Sequence, residues 1–69
     1  MSISIRHQIP GTVSAVTAGE AMALVQVRLA SGQDITAAIT TAAVDDLGLA
    51  SGTSVVALIK STGISLAAA

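Results

Sequence analysis

The chain has 69 residues, 52% of them apolar, with no Phe, Tyr, Trp or Cys and a formal net charge of -1. A domain this small buries only about 60% of the surface its unfolded form exposes, and neither a disulfide nor a Cys/His zinc site can staple it, so association with further copies is the expected route to stability. The composition also excludes a nucleic-acid binder, which needs a basic field or stacking aromatics, and a spanning helix of about 20 apolar residues.

In chain order, "SISIRHQIPG" (2–11) precedes the first expected element. It carries Arg6 beside His7, and Ser4 two residues before Arg6, so in extended backbone the hydroxyl and the guanidinium leave on one side. Nothing here resembles a basic region followed by an apolar one, so no secretory leader is expected and the cytoplasm is the expected location. "PGTVSAVTA" (10–18) follows a Pro-Gly punctuation mark and alternates small polar with apolar residues, the period of a half-buried strand. After Gly19, "EAMALVQVRL" (20–29) repeats that period more clearly. Ala21, Ala23, Val25, Val27 and Leu29 share one face; Met22, Leu24, Gln26 and Arg28 share the other. "ASGQD" (30–34) reads as a turn and "ITAAIT" (35–40) as the next strand.

The period then changes. Ala43, Val44 and Leu47 recur at helical spacing, with Thr40 or Thr41 as the N-terminal cap and Gly48 as the stop, which predicts one short helix. "SVVALIK" (54–60) is the most β-prone stretch, and "ISLA" (64–67) predicts a last short strand after "STG". Five short strands with one late helix predict an all-β fold, a small five-stranded barrel of the oligonucleotide/oligosaccharide-binding type, as a single domain over residues 1–69.

Catalytic chemistry has little to draw on. His7 is the only imidazole, and Glu20, Asp34, Asp45 and Asp46 have no partner that spacing brings near, so a binding protein is expected and not an enzyme. Anion binding is better supplied. Arg6 and Lys60 are cations near hydroxyls (Ser4; Ser61 and Thr62), Arg28 reads as a solubilising residue in mid-strand, and Thr40 opens the helix where the N–H groups of Ala42 and Ala43 favour negative charge.

At these residues the sequence resembles a known family. "SIRHQIPGTV" is similar to the "SARNQLxGxV" opening of the molbindins, the small Mop-type molybdate-binding proteins of the TOBE/Mop domain family, and "LGLASGTSVVALIKST" resembles their "LGL…G…IKA" block. The resemblance spans essentially the whole chain. It implies a hexamer, a trimer of dimers, that holds molybdate or tungstate between subunits and needs no organic cofactor. It places Ser4, Arg6, Thr40, Lys60 and the backbone N–H of Ser61 around the ion, with His7 and Ala43 as weaker contributors. Two departures stand out: Ala43 replaces a common Ser, which removes a hydroxyl donor, and His7 replaces the usual Asn, which introduces a titratable ring.

The residue types suit such a ligand. Molybdate is a tetrahedral dianion without a proton, and the candidate set offers donors only. Protonated phosphate would leave its own hydrogen without an acceptor, at a cost of about 1–3 kcal/mol. Storage or buffering of the oxyanion is the expected role. The alternative is the same barrel as an accessory or regulatory module of a molybdate transporter ATPase or a molybdate-responsive regulator, and the initiator Met favours the free-standing protein.

Overall fold

The computed structural model describes residues 7–69. Four strands, β1 (His7–Ala18), β2 (Met22–Leu29), β3 (Asp34–Thr40) and β4 (Ser54–Ile59), form one antiparallel sheet in the order β3-β2-β1-β4. One helix, α1 (Thr41–Leu47), links β3 to β4, and a 3-10 turn (Ser61–Gly63) follows β4.

β2 folds as its alternation dictates. Ala23, Val25, Val27 and Leu29 are buried, while Met22, Leu24, Gln26 and Arg28 face out. Together with Val13 and Val44 they make up the core, against which Ile9, Val16, Ile35, Ile39, Leu49, Val55 and Ala57 pack. The chain folds back at Gly19, whose N–H donates to the carbonyl of Met22 at 2.9 Å.

β1 begins three residues earlier than the Pro-Gly signal suggests. Pro10 lies inside the strand, opposite Val56, and its carbonyl accepts from the N–H of Ala30 at 3.0 Å, one step beyond the last β1–β2 pair, Gly11 with Leu29. Because a strand residue's N–H and C=O leave on the same side, the missing proline N–H falls at the frayed end of that ladder and disturbs nothing. The next residue is constrained by space: a Cβ on Gly11 would stand 2.8 Å from the Arg28 carbonyl oxygen.

β1 serves two partners in succession. Its first half, His7–Thr12, pairs with β4, and Gly11–Ala18 pairs with β2. The register slips by one residue between Val13 and Ala15, leaving Ser14 as a bulge. The inward positions therefore change parity, from Ile9, Gly11 and Val13 to Val16, which bends the strand and curls the sheet. Ser14 is held from both sides: its hydroxyl donates to the Gln26 carbonyl and its own carbonyl accepts from the Ser51 hydroxyl, both at 3.2 Å.

The helix has the expected ends. Thr40 is the cap, its hydroxyl oxygen accepting from the N–H of Ala43 at 3.1 Å. Gly48 adopts the left-handed φ of 63° that stops it, with Gly48 N–H donating to Asp45 and Leu49 N–H to Val44. Of the apolar positions at helical spacing, Val44 is buried and Ala43 half-buried, but Leu47 is exposed.

The all-β, OB-like architecture with one short helix thus stands, with four strands instead of five. "ISLA" (64–67) forms no strand: the 3-10 turn redirects the chain after Lys60, and Leu66 is 93% exposed with no ladder partner among the described residues. No described helix is long and apolar enough to cross a membrane.

Candidate functional site

β3 and β4 are the outer strands, and between them the concave side of the sheet holds an open apolar groove of about 510 Å³. Its walls include Val25, Ile35, Ile39, Val55, Ala57 and Ile59, and Thr36 is the one polar residue that lines it. A dianion needs converging donors, so this groove is no oxyanion site. The candidate polar residues lie elsewhere.

Thr40 is the last residue of β3, on its outward face, directly opposite Met22. Its oxygen is engaged as acceptor by Ala43, yet a hydroxyl keeps one proton to donate outward. The Ala43 N–H is consumed by this cap, which corrects the expectation that it stands free for a ligand. Neighbouring Thr41 fixes the position: its N–H donates to the Ala21 carbonyl and its hydroxyl to the Gly19 carbonyl, both at 2.8 Å, tying the start of α1 to the β1–β2 turn.

Lys60 follows β4 in extended conformation (φ -76°, ψ 141°), so it continues that strand's outward alternation with Val56 and Leu58. Ser61 opens the 3-10 turn beside it. Among the described residues, neither the Lys60 ammonium nor the Ser61 hydroxyl has a hydrogen-bond partner. His7 pairs with Ile59, and alternation sends it to the side of Ile9 and Ile59, away from Lys60. Ser4 and Arg6 lie outside the described residues.

The ladder separates these groups. Thr40 joins the sheet at the Ala18 end of β1, through Met22 and Ala23, whereas Lys60 leaves it at the His7 end, through Ile59. The whole 12-residue strand lies between the two levels, roughly 35–40 Å of strand contour. Among the described residues, no hydrogen bond or ion pair links Thr40 to Lys60, Ser61 or His7.

Sequence reasoning also missed what occupies Arg28. Its Nε and Nη2 bind the two carboxylate oxygens of Asp34, directly opposite on β3, the second contact at 3.1 Å. The Asp34 carboxylate holds the guanidinium above its ordinary value, first by hydrogen bonding and then by charge attraction. The turn at 30–33 between two alternating strands is the signal that brings these residues into register. With Arg28 neutralised, Lys60 is the one cation among the described residues without a carboxylate partner. No group of three or more His, Cys, Asp or Glu side chains that could hold a metal ion occurs among the described residues.

A curled, OB-like sheet with hydroxyl and cationic donors on its outward face defines a small binding domain. The family comparison makes it specific: the TOBE domain profile matches residues 3–66, and the chain belongs to that family as a Mop-type molbindin. "Molybdenum-pterin-binding protein 3" of Clostridium pasteurianum is 41% identical over 68 residues, covering 99% of this chain and 100% of the relative. The solved structure of a molybdate binding protein from Sporomusa ovata superposes with a TM-score of 0.92 at 35% identity, covering 99% of this chain and 100% of that one. "Molybdenum transport protein ModE" of Herbaspirillum seropedicae is 39% identical over 66 residues, which cover 96% of this chain but 24% of that protein.

Proposed function

We propose that this chain binds molybdate, or the isostructural tungstate, at seams between copies of a homo-oligomer, a hexamer arranged as a trimer of dimers, and that it stores and buffers the oxyanion in the cytoplasm without catalysing a reaction or holding an organic cofactor. The observation that carries this reading is the full-length similarity to proteins named for molybdenum and molybdate binding. The split of the donors supports the intersubunit part: Thr40 at one end of the ladder and Lys60 with Ser61 at the other meet only when two copies do.

The roles follow from chemistry. Arg6 and Lys60 supply charge, Ser4 and Thr40 supply hydroxyl protons, and Ser61 supplies a backbone N–H. His7 and Ala43 are the lesser contributors, His7 by its ring at the start of β1 and Ala43 only by the N–H that holds the Thr40 hydroxyl in place. One cation 4 Å from the dianion gains roughly 8 kcal/mol at an effective dielectric of 20 before desolvation, so two cations from different copies hold the ion better than one. Binding to the assembled form alone also stabilises the assembly by mass action.

The test is calorimetric titration with molybdate alongside thermal melting. Heat of binding and a raised midpoint are expected; no heat and an unmoved midpoint would refute the reading. The relative of which this chain covers 24% favours a second reading, an accessory or regulatory module of a transporter ATPase or a molybdate-responsive regulator. The size of the native polypeptide on an immunoblot discriminates the two, since a module travels in a much longer chain.

A further inference from the structure

Met22 and Thr40 form the last pair of the β2–β3 ladder. The Thr41 N–H donates to the Ala21 carbonyl and the Leu29 N–H to the Gln33 carbonyl, both at 2.8 Å, so the pairs in step with these are the hydrogen-bonded ones. Met22–Thr40 falls out of step with them. It is a non-hydrogen-bonded pair, the kind whose side chains stand closest, with Cα atoms about 4.5 Å apart. Both side chains face outward. Their backbone is pinned, since the Gly19 N–H donates to the Met22 carbonyl and the Thr41 hydroxyl to the Gly19 carbonyl. Methionine is unbranched with three rotatable bonds, which brings the Met22 sulfur within reach of the Thr40 hydroxyl.

Sulfur chemistry in this chain is confined to two thioethers. There is no Cys, Met1 lies outside the described residues, and Met22 is 52% exposed. An open thioether is a ready target for a peroxide. One peroxide oxygen bonds to Sδ, the O–O bond breaks and the other oxygen leaves as water, so the sulfur loses two electrons and the peroxide gains them. The position of Thr40 gives the product a consequence. Its oxygen already accepts from Ala43, which leaves one proton to donate. A thioether competes weakly for that proton, whereas a sulfoxide is polar and accepts it through an oxygen that carries partial negative charge. On Met22 that oxygen takes the Thr40 proton and turns the negative end of the S–O dipole toward an anion beside Thr40.

Resting on the proposed binding of an oxyanion at Thr40, we propose that Met22 is a redox-modification site: its oxidation to the sulfoxide by hydrogen peroxide withdraws the Thr40 donor and releases the ion. Whatever path admits a tetrahedral oxyanion to Thr40 admits the smaller peroxide. The change is reversible. A thiol-dependent methionine sulfoxide reductase removes the oxygen as water while two thiols join as a disulfide.

The test treats the full-length protein with hydrogen peroxide and titrates it with molybdate by calorimetry, alongside Met22→Leu, which keeps the apolar volume without the sulfur. Trypsin parts the two methionines, Met1 on residues 1–6 and Met22 on residues 7–28, so mass spectrometry assigns each added oxygen. Met22 is expected to gain one oxygen atom, and the parent's molybdate affinity to fall at least about tenfold in step with that gain. Met22→Leu should keep its affinity through the same treatment, and the reductase should restore the parent. An oxidised Met22 with unchanged affinity, an equal loss in Met22→Leu, or a Met22 left intact while Met1 is oxidised overturns the proposal. So does a circular dichroism spectrum that collapses on oxidation, since the effect would then be unfolding. Untreated parent that takes up no molybdate sinks the oxyanion reading and this inference with it; untreated parent that binds, matched by oxidised protein that binds equally, sinks this inference alone.

Discussion

Replacing Thr40 by Asp separates the two duties this residue is assigned. The hydroxyl oxygen caps α1 by accepting from Ala43, and the remaining proton is free for a ligand. Asp caps as well as Thr or better and suits the positive end of a helix, so the ligand-free melting midpoint of Thr40→Asp should stay within about 3 °C of the parent. Thr40→Ala loses the cap, about 1 kcal/mol, which lowers the midpoint by roughly 4–8 °C in a domain of this size. Molybdate at one hundred times its dissociation constant stabilises the parent by about 2.7 kcal/mol, or roughly 11–22 °C. A carboxylate 4 Å from a dianion is repelled by about 8 kcal/mol at an effective dielectric of 20, far more than that gain. Thr40→Asp should therefore melt like the parent without molybdate and fail to respond to it, while Thr40→Ser behaves as the parent in both. Differential scanning calorimetry at fixed protein concentration reads all four proteins. If Thr40→Asp gains the same increment from molybdate as the parent does, Thr40 lies away from the ion.

Three further outcomes are expected. Lys60→Ala and Arg6→Ala should each weaken molybdate binding at least tenfold in calorimetry while circular dichroism is unchanged; parent-like affinity in both would move the site. Gly11→Ala drives a methyl to within 2.8 Å of the Arg28 carbonyl oxygen, and since backbone cannot step aside it should cost about 1–3 kcal/mol in urea unfolding. Asp34→Asn removes the partner of Arg28 on a solvent-exposed face and should change stability by less than about 1 kcal/mol, leaving molybdate affinity intact, because Arg28 lies opposite Thr12 in the middle of β1, away from both ends.

Much of the fold was legible because β2 obeys a strict alternation, and its buried and exposed rows fall where period two puts them. The N-terminal half of β1 was hidden by Pro10, which reads as a break but occupies a site where no N–H is needed. The Ser14 bulge left no mark, since small polar and small apolar residues alternate through it without interruption. "ISLA" has strand-forming residues but no pairing edge among the described residues. Of the candidate site, the capping role of Thr40 was legible because a hydroxyl residue stands where the period changes from two to helical spacing. The loss of the Ala43 N–H to that cap was the unread half of the same signal. That Thr40 and Lys60 belong to opposite ends of the ladder depends on strand order, which local periodicity does not encode.

β4 has a consequence beyond the ligand. Ser54–Ile59, "SVVALI", is a charge-free, proline-free hexapeptide on an outer strand of the sheet, the composition that stacks into cross-β fibrils when its edge is open. In the proposed homo-oligomer, a neighbour that covers this strand would shield it. Any variant found not to assemble should raise thioflavin fluorescence sooner than the assembled parent at equal concentration. In that assembly, subunit packing would then serve as this sheet's guard against amyloid growth.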